Sequence, residues 1–149
     1  MKNFKVIPFE RTHAIDIVNQ NIDDGFINKI DDFLFEWIDM VSKHPAYTVF
    51  YDDIAIFAGG VVLFPWGMGD AWLLTQKKAF DYKKTFCSIV MAKLANIILS
   101  NDLSRVSMLV EAEDNKAKKF ASFLGFNEEG LLKKYGPLKK NYYQFARIV

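Results

Sequence analysis

Within one short stretch near its C-terminal end the chain changes hydrophobic period twice. Arg105 to Val110 alternates, with Met108 and Val110 on one side and Leu109 on the other, which is the period of a strand. Asn115 to Leu124 repeats its apolar residues at helical spacing, and Gly125 stands where a left-handed residue ends a helix. Glu128-Glu129-Gly130 and Tyr135 then lead to a last strand, Tyr142 to Val149. A chain that passes from strand to helix and back to strand needs a sheet against which that helix can bury its apolar stripe. This excludes an all-helical bundle and an all-β sandwich.

The earlier residues extend the same plan. Lys5 to Phe9 is short, apolar and contains Pro8, the mark of an edge strand. Thr12 is placed to cap a short helix over His13–Gln20. From Ile22 the residues Phe26, Ile27, Ile30, Phe33, Leu34, Trp37, Ile38 and Val41 recur at three and four, with Asp23 and Asp24 at the start and Pro45 beyond the end. Tyr47–Tyr51, Asp52-Asp53 and Ile54–Leu63 read as a hairpin, Pro65 to Gly69 as a turn, and Asp70–Thr75 as the next strand. Thr85–Ser100 is apolar on most sides, which predicts a centrally packed helix. No repeat or linker interrupts the chain, so residues 1–149 are expected to form one domain.

Composition narrows the function. The net charge of +1 gives no global pull toward nucleic acid or anionic lipid. One cysteine, Cys87, excludes an intramolecular disulfide and suits a reducing, cytoplasmic compartment. Two histidines and a single cysteine make no zinc set, so no metal is expected. The N-terminal residues lack a signal-type apolar core, and no apolar run approaches the roughly eighteen residues that a membrane span needs.

Three segments carry a likeness to a known family. They are Gly59-Gly60 with Phe64-Pro65-Trp66-Gly67-Met68-Gly69-Asp70-Ala71-Trp72-Leu73-Leu74, then Phe120 to Gly130 with its Leu124-Gly125-Phe126, then Tyr135-Gly136-Pro137. Together with the element order they resemble the GCN5-related N-acetyltransferases (GNAT), and within them the small GNAT-like proteins of tailed phages and prophages. The resemblance implies an α+β fold of three layers, with a mixed, mostly antiparallel sheet of six or seven strands flanked by helices. It implies transfer of an acetyl group from acetyl-coenzyme A, as co-substrate, to an amine.

The chemistry such a reaction needs can be set against the residues. An alkyl amine has a pKa near 10, so only about one in a thousand is neutral at pH 7 and a base or water relay helps. The thioester oxygen must be polarised and the cofactor held. By the resemblance, the backbone of Leu73, Leu74 and Thr75 takes the pantetheine arm and the oxyanion. The pyrophosphate belongs at the start of the central helix, where free N–H groups favour an anion. The family's glycines are missing there: none occurs between Gly69 and Gly125, and Lys83, Lys84 and Thr85 stand in their place. The two lysines form a substitute phosphate clamp or, alternatively, a solvated surface with Asp81 as N-cap. Asn115 matches the family's cofactor-contacting Asn, or is an ordinary N-cap.

Asp70 is the candidate base and Tyr135 the candidate acid, because the helix position at which the family carries a Tyr holds Ala121. As plain structure, Asp70 exits a turn and Tyr135 packs with a wet hydroxyl. Trp37, Trp66 and Trp72 line an acceptor pocket or pack in core and turn. Asp23, Asp24, Asp31 and Asp32 border the region where the family receives its acceptor, and they suit a cationic amine. The rival reading keeps the fold without activity, as a phage structural or internal virion component acting through protein contacts.

Overall fold

The computed structural model of the chain describes residues 3–23, 32–136 and 138–149. In order these form β1 (Phe4–Pro8), α1 (Arg11–Asp23), α2 (Asp32–Val41), β2 (Ala46–Tyr51), β3 (Ile54–Phe64), β4 (Met68–Thr75), a 3-10 helix (Lys77–Tyr82), α3 (Lys83–Ser100), β5 (Arg105–Glu111), α4 (Asn115–Phe123), β6 (Asn127–Tyr135) and β7 (Lys140–Ile148). The seven strands make one sheet ordered β1-β2-β3-β4-β5-β7-β6. β1 is its edge, paired to β2 alone, where the missing N–H of Pro8 costs no ladder bond. β4 and β5 are parallel, whereas β1–β2, β2–β3, β5–β7 and β6–β7 are antiparallel. The mixed, mostly antiparallel sheet that the resemblance implies is present.

By contact the chain forms two compact units whose segments alternate along the sequence: Met1–Val62 with Trp72–Ile97, and Leu63–Ala71 with Ile98–Val149. In the first unit, Ile17 of α1 packs with Ala55 and Ala58 of β3, and Phe9, Phe50, Trp72 and Leu74 close around them. Full burial of a side chain such as Ile17 contributes about 1.5–3 kcal/mol. Pro45 does more than stop α2: its carbonyl accepts from Val61 N at 3.0 Å. A Cβ on Gly60 would run into that carbonyl, so only glycine fits there. In the second unit, Val106 and Val110 of β5, Ala121 of α4, and Phe145 and Ala146 of β7 are buried. α4 ends in a Schellman motif, with Phe126 N on Ala121 O, Gly125 N on Ser122 O, and Gly125 at φ +90°.

Three local expectations are corrected. α1 starts at Arg11, so Thr12 lies inside it; the entry is instead closed by His13, whose Nδ1 accepts from Glu10 N at 3.1 Å. Asp23 lies within α1 and does not open a helix, and Asp32 occupies the first turn of α2. Asp24, Phe26, Ile27, Ile30, Asp31 and Pro137 lie outside the described residues. α3 is not buried all round. Phe86, Ile89, Val90, Leu94 and Ile97 are covered, while Met91 and Leu99 are exposed by 43% and 81%. Its apolar composition hides a one-sided helix, anchored by the Phe57–Phe86 edge contact at 4.6 Å.

Candidate functional site

The end of β4 is fixed by two buried side chains. Asn21 reaches from α1, and its Nδ2 donates to Thr75 O at 2.7 Å. Gln76, 2% exposed, donates from its backbone to Ile56 O at 2.9 Å and from Nε2 to Ala55 O at 2.6 Å. Leu73, Leu74 and Thr75 are half-buried. The parallel pairs with β5 run from Met68↔Arg105 to Asp70↔Ser107, and β4 itself continues to Thr75. Of the backbone groups predicted to take the pantetheine arm, the Thr75 carbonyl already has one partner and keeps a second lone pair. Neither Asn21 nor Gln76 could be found from sequence, because each binds a backbone carbonyl far away in the chain.

Past Gln76 the chain turns at once into the 3-10 helix, and Lys83 at its end has helical torsions (φ −53°, ψ −44°). The helical run therefore begins near Lys77 and not at Lys83. Past the first turn of a helical run, amides point at carbonyls one turn back. The 3-10 helix runs directly into α3, so Lys83 does not stand at the start of the helical run. Ala79 N, in the true first turn, already donates to Gln76 O at 3.0 Å. Asp81, expected to cap α3, lies inside the 3-10 helix. Lys83 and Lys84 are exposed, and neither makes an ion pair among the described residues. An anion here would meet their ammonium groups.

Asp70 and Tyr135 belong to opposite ends of the second unit. Asp70 pairs with Ser107, which pairs with Ala146 of β7. Tyr135 pairs with Lys140, six residues along β7 from Ala146, or about 20 Å at 3.4 Å per residue. The partial desolvation of Asp70 raises its carboxyl above the ordinary value, against the pull of Arg105. That guanidinium is committed elsewhere: it forms a two-pronged ion pair with Glu129, Nη1 to Oε2 at 3.0 Å and Nη2 to Oε1. Tyr135 is 47% exposed, its ring 6.1 Å from that of Tyr142 and edge-on to it.

The cap of α4 is Asp114, whose Oδ1 accepts from Ala117 N at 3.0 Å. Asn115, read as a possible N-cap, is instead the first helical residue, and its exposed side chain makes no hydrogen bond among the described residues. Ala121 is fully buried, so no larger side chain fits there unaided. Trp66 sits in the β3–β4 turn, 87% exposed at φ +66°. Trp37 and Trp72 meet edge to face at 5.1 Å. A shallow recess of about 360 Å³ lies elsewhere, lined by residues such as Lys118, Ser122, Asn127 and Glu128, and holds none of the candidate residues. No group of three or more His, Cys, Asp or Glu among the described residues is placed to hold a metal ion. No described helix is long and apolar enough to cross a membrane.

No protein-family model matches the chain, and no curated protein matches it. Solved structures do. The ribosomal-protein-S5-alanine acetyltransferase of Vibrio fischeri superposes with a TM-score of 0.76 at 16% identity, over 99% of this chain and 94% of that one. The microcin C7 self-immunity acetyltransferase MccE, in complex with acetyl-CoA and AMP, gives 0.75 at 13% identity over 100% and 94%. A GNAT-family acetyltransferase of Streptococcus pneumoniae gives 0.74 at 12% identity over 98% and 99%. At these identities the likeness is one of fold, and the fold is that of the GNAT acyl-CoA N-acyltransferases.

Proposed function

We infer that this chain is an N-acyltransferase that moves an acetyl group from acetyl-coenzyme A to an amine by direct attack. The observation that carries this reading is the superposition on acetyltransferases along nearly the whole of both chains, one of them holding acetyl-CoA. The amine nitrogen attacks the thioester carbon, the C–N bond forms, and the C–S bond breaks with release of the thiolate. Backbone groups of Leu73, Leu74 and Thr75 hold the pantetheine arm and the oxyanion. Lys83 and Lys84, exposed and without ion pairs among the described residues, meet the phosphates with Thr85 beside them, and Asn115 offers a side chain not spent on a cap. An acid and a base serving one thioester must both reach it, which a separation of about 20 Å along β7 denies to Asp70 and Tyr135 together. The reading keeps Tyr135 as the proton source for the thiolate, and the proton that the attacking nitrogen gives up leaves through water.

The test is cofactor binding followed by turnover. Coenzyme A at about 100 times its dissociation constant should stabilise the chain by roughly 2.7 kcal/mol. Thiol release from acetyl-coenzyme A should then depend on an added amine. No thermal shift at millimolar coenzyme A would end the reading. It would leave the alternative, a fold kept for protein contacts.

A further inference from the structure

Tyr51 is the last residue of β2 and Tyr82 the last of the 3-10 helix, both within the first unit. β3 and β4 separate them in the chain, yet their rings lie 4.5 Å apart between centroids and 31° from parallel. That is the short end of the range for aromatic pairs. The hydroxyls meet as well: the hydrogen bond to Tyr51 pushes the Tyr82 hydroxyl up to about 12. Phe4 of β1 holds the pair from the side, tilted on Tyr51 at 4.9 Å and edge-on to Tyr82 at 5.3 Å. Lys78 Nζ stands 5.6 Å from the Tyr51 centroid. Neither ring is sealed in the core; both are half-buried. Packing alone needs only the rings, and phenylalanine would supply them. Two phenols with their hydroxyl-bearing edges together add a chemistry that packing does not require.

That chemistry is radical coupling. A phenol gives up one electron together with its proton, and the unpaired electron of the phenoxyl radical spreads to the ring carbons beside the oxygen. Two such radicals held ring to ring join at those carbons. In Tyr51 and Tyr82 the edges that carry these carbons are already in contact. Tyr135 and Tyr142 make a second tyrosine pair, but their centroids are 6.1 Å apart and their planes 71° from one another. Tyr47 is 6% exposed and has Phe57 as a ring neighbour, while Tyr143 lies beneath Lys118 Nζ at 4.9 Å. Of the six tyrosines, the geometry singles out one pair.

We propose that Tyr51 and Tyr82 form an oxidative modification site, at which a one-electron oxidant of the haem-peroxidase class joins the two rings through a carbon–carbon bond. Each phenol loses one electron to the peroxidase and one proton to water. The ring carbons bond, and each then gives up its hydrogen as a proton while its oxygen regains one, which restores two phenols. In sum, two electrons and two protons reduce one hydrogen peroxide to two waters. The bond clamps the end of β2 to the segment that leads into α3, and it is independent of the acyl-transfer reading. The full chain, at a dilution that keeps copies apart, is treated with a haem peroxidase and hydrogen peroxide, digested with trypsin and weighed by mass spectrometry. The expected product joins residues 44–77 to residues 79–83 with loss of two hydrogens, in a chain of monomer mass. Tyr51→Phe and Tyr82→Phe keep the rings, and each should abolish that product and its dityrosine fluorescence, whereas Tyr135→Phe should leave both in place. Because the bond closes a loop in the unfolded chain, the treatment should raise the denaturant midpoint of the parent relative to that of Tyr82→Phe. No such product from an oxidant that couples free tyrosine, its survival in Tyr51→Phe, a cross-link confined to covalent dimers, or a midpoint that does not rise overturns the proposal.

Discussion

Arg105 lies between two carboxylates that respond to it differently. Its two-pronged bond to Glu129 holds that carboxyl below its ordinary value, whereas desolvation leaves Asp70 above its own despite Arg105. The linkage signs are opposite. A depressed Glu129 contributes stability above the ordinary carboxylate range that is lost as pH falls through its lowered pKa. A raised Asp70 contributes stability at low pH that is lost as pH rises through its raised pKa. Asp70→Asn should therefore melt slightly higher than the parent at pH 7, with the difference vanishing near pH 3, as read by thermal denaturation at both pH values. A lower melting point at pH 7 would mean that attraction to Arg105 outweighs desolvation. Lys83→Ala with Lys84→Ala should weaken coenzyme A binding by about 1.5–3 kcal/mol per phosphate contact, more at low salt than at high. Because the helical run begins before them, their removal should change stability by no more than about 0.5 kcal/mol. Calorimetric titration in two salt concentrations checks both halves.

At the scale of elements, α4 separates folding from binding within two adjacent residues. Asp114→Ala removes the cap on Ala117 N and should cost about 1 kcal/mol in denaturant melts. Asn115→Ala should leave stability nearly unchanged and weaken coenzyme A binding. The reverse pattern would return Asn115 to a structural role. The sequence could not choose between them, since both residue types cap helices and they are neighbours. Where chemistry is local it was legible: Gly125 announced the Schellman turn, Asp52-Asp53 the hairpin and Pro8 the edge. Where partners are distant it was not. Lys77–Tyr82 shows no helical period, and it is held by Gln76 bonding to β3 and by Tyr82 packing on Phe4 and Tyr51. α3 looked central because its composition carries no sign of which apolar residues stay wet.

For the molecule as a whole, the order of the seven strands and four α-helices among the described residues followed from period and punctuation, since each element declares its own type. The pairings did not. Phe4 meets Tyr51 and Arg105 meets Ile148, contacts between residues more than forty apart, which predicts folding slower than that of a helical bundle of equal length. Stopped-flow refolding in the millisecond-to-second range would agree, and microsecond refolding would not. The alternation of the two units along the chain also governs how the gene can be divided. Each unit is assembled from two separate stretches, Met1–Val62 with Trp72–Ile97 and Leu63–Ala71 with Ile98–Val149. A cut in the exposed turn at Asp102, where φ is +50°, gives an N-terminal piece that holds all of the first unit and carries Leu63–Ala71 of the second. The C-terminal piece lacks that segment, and with it Met68–Asp70, which pair with Arg105–Ser107 of β5. Co-expressed, the halves should recover the fold only as a pair, which makes this turn the natural breakpoint for a split-protein reporter.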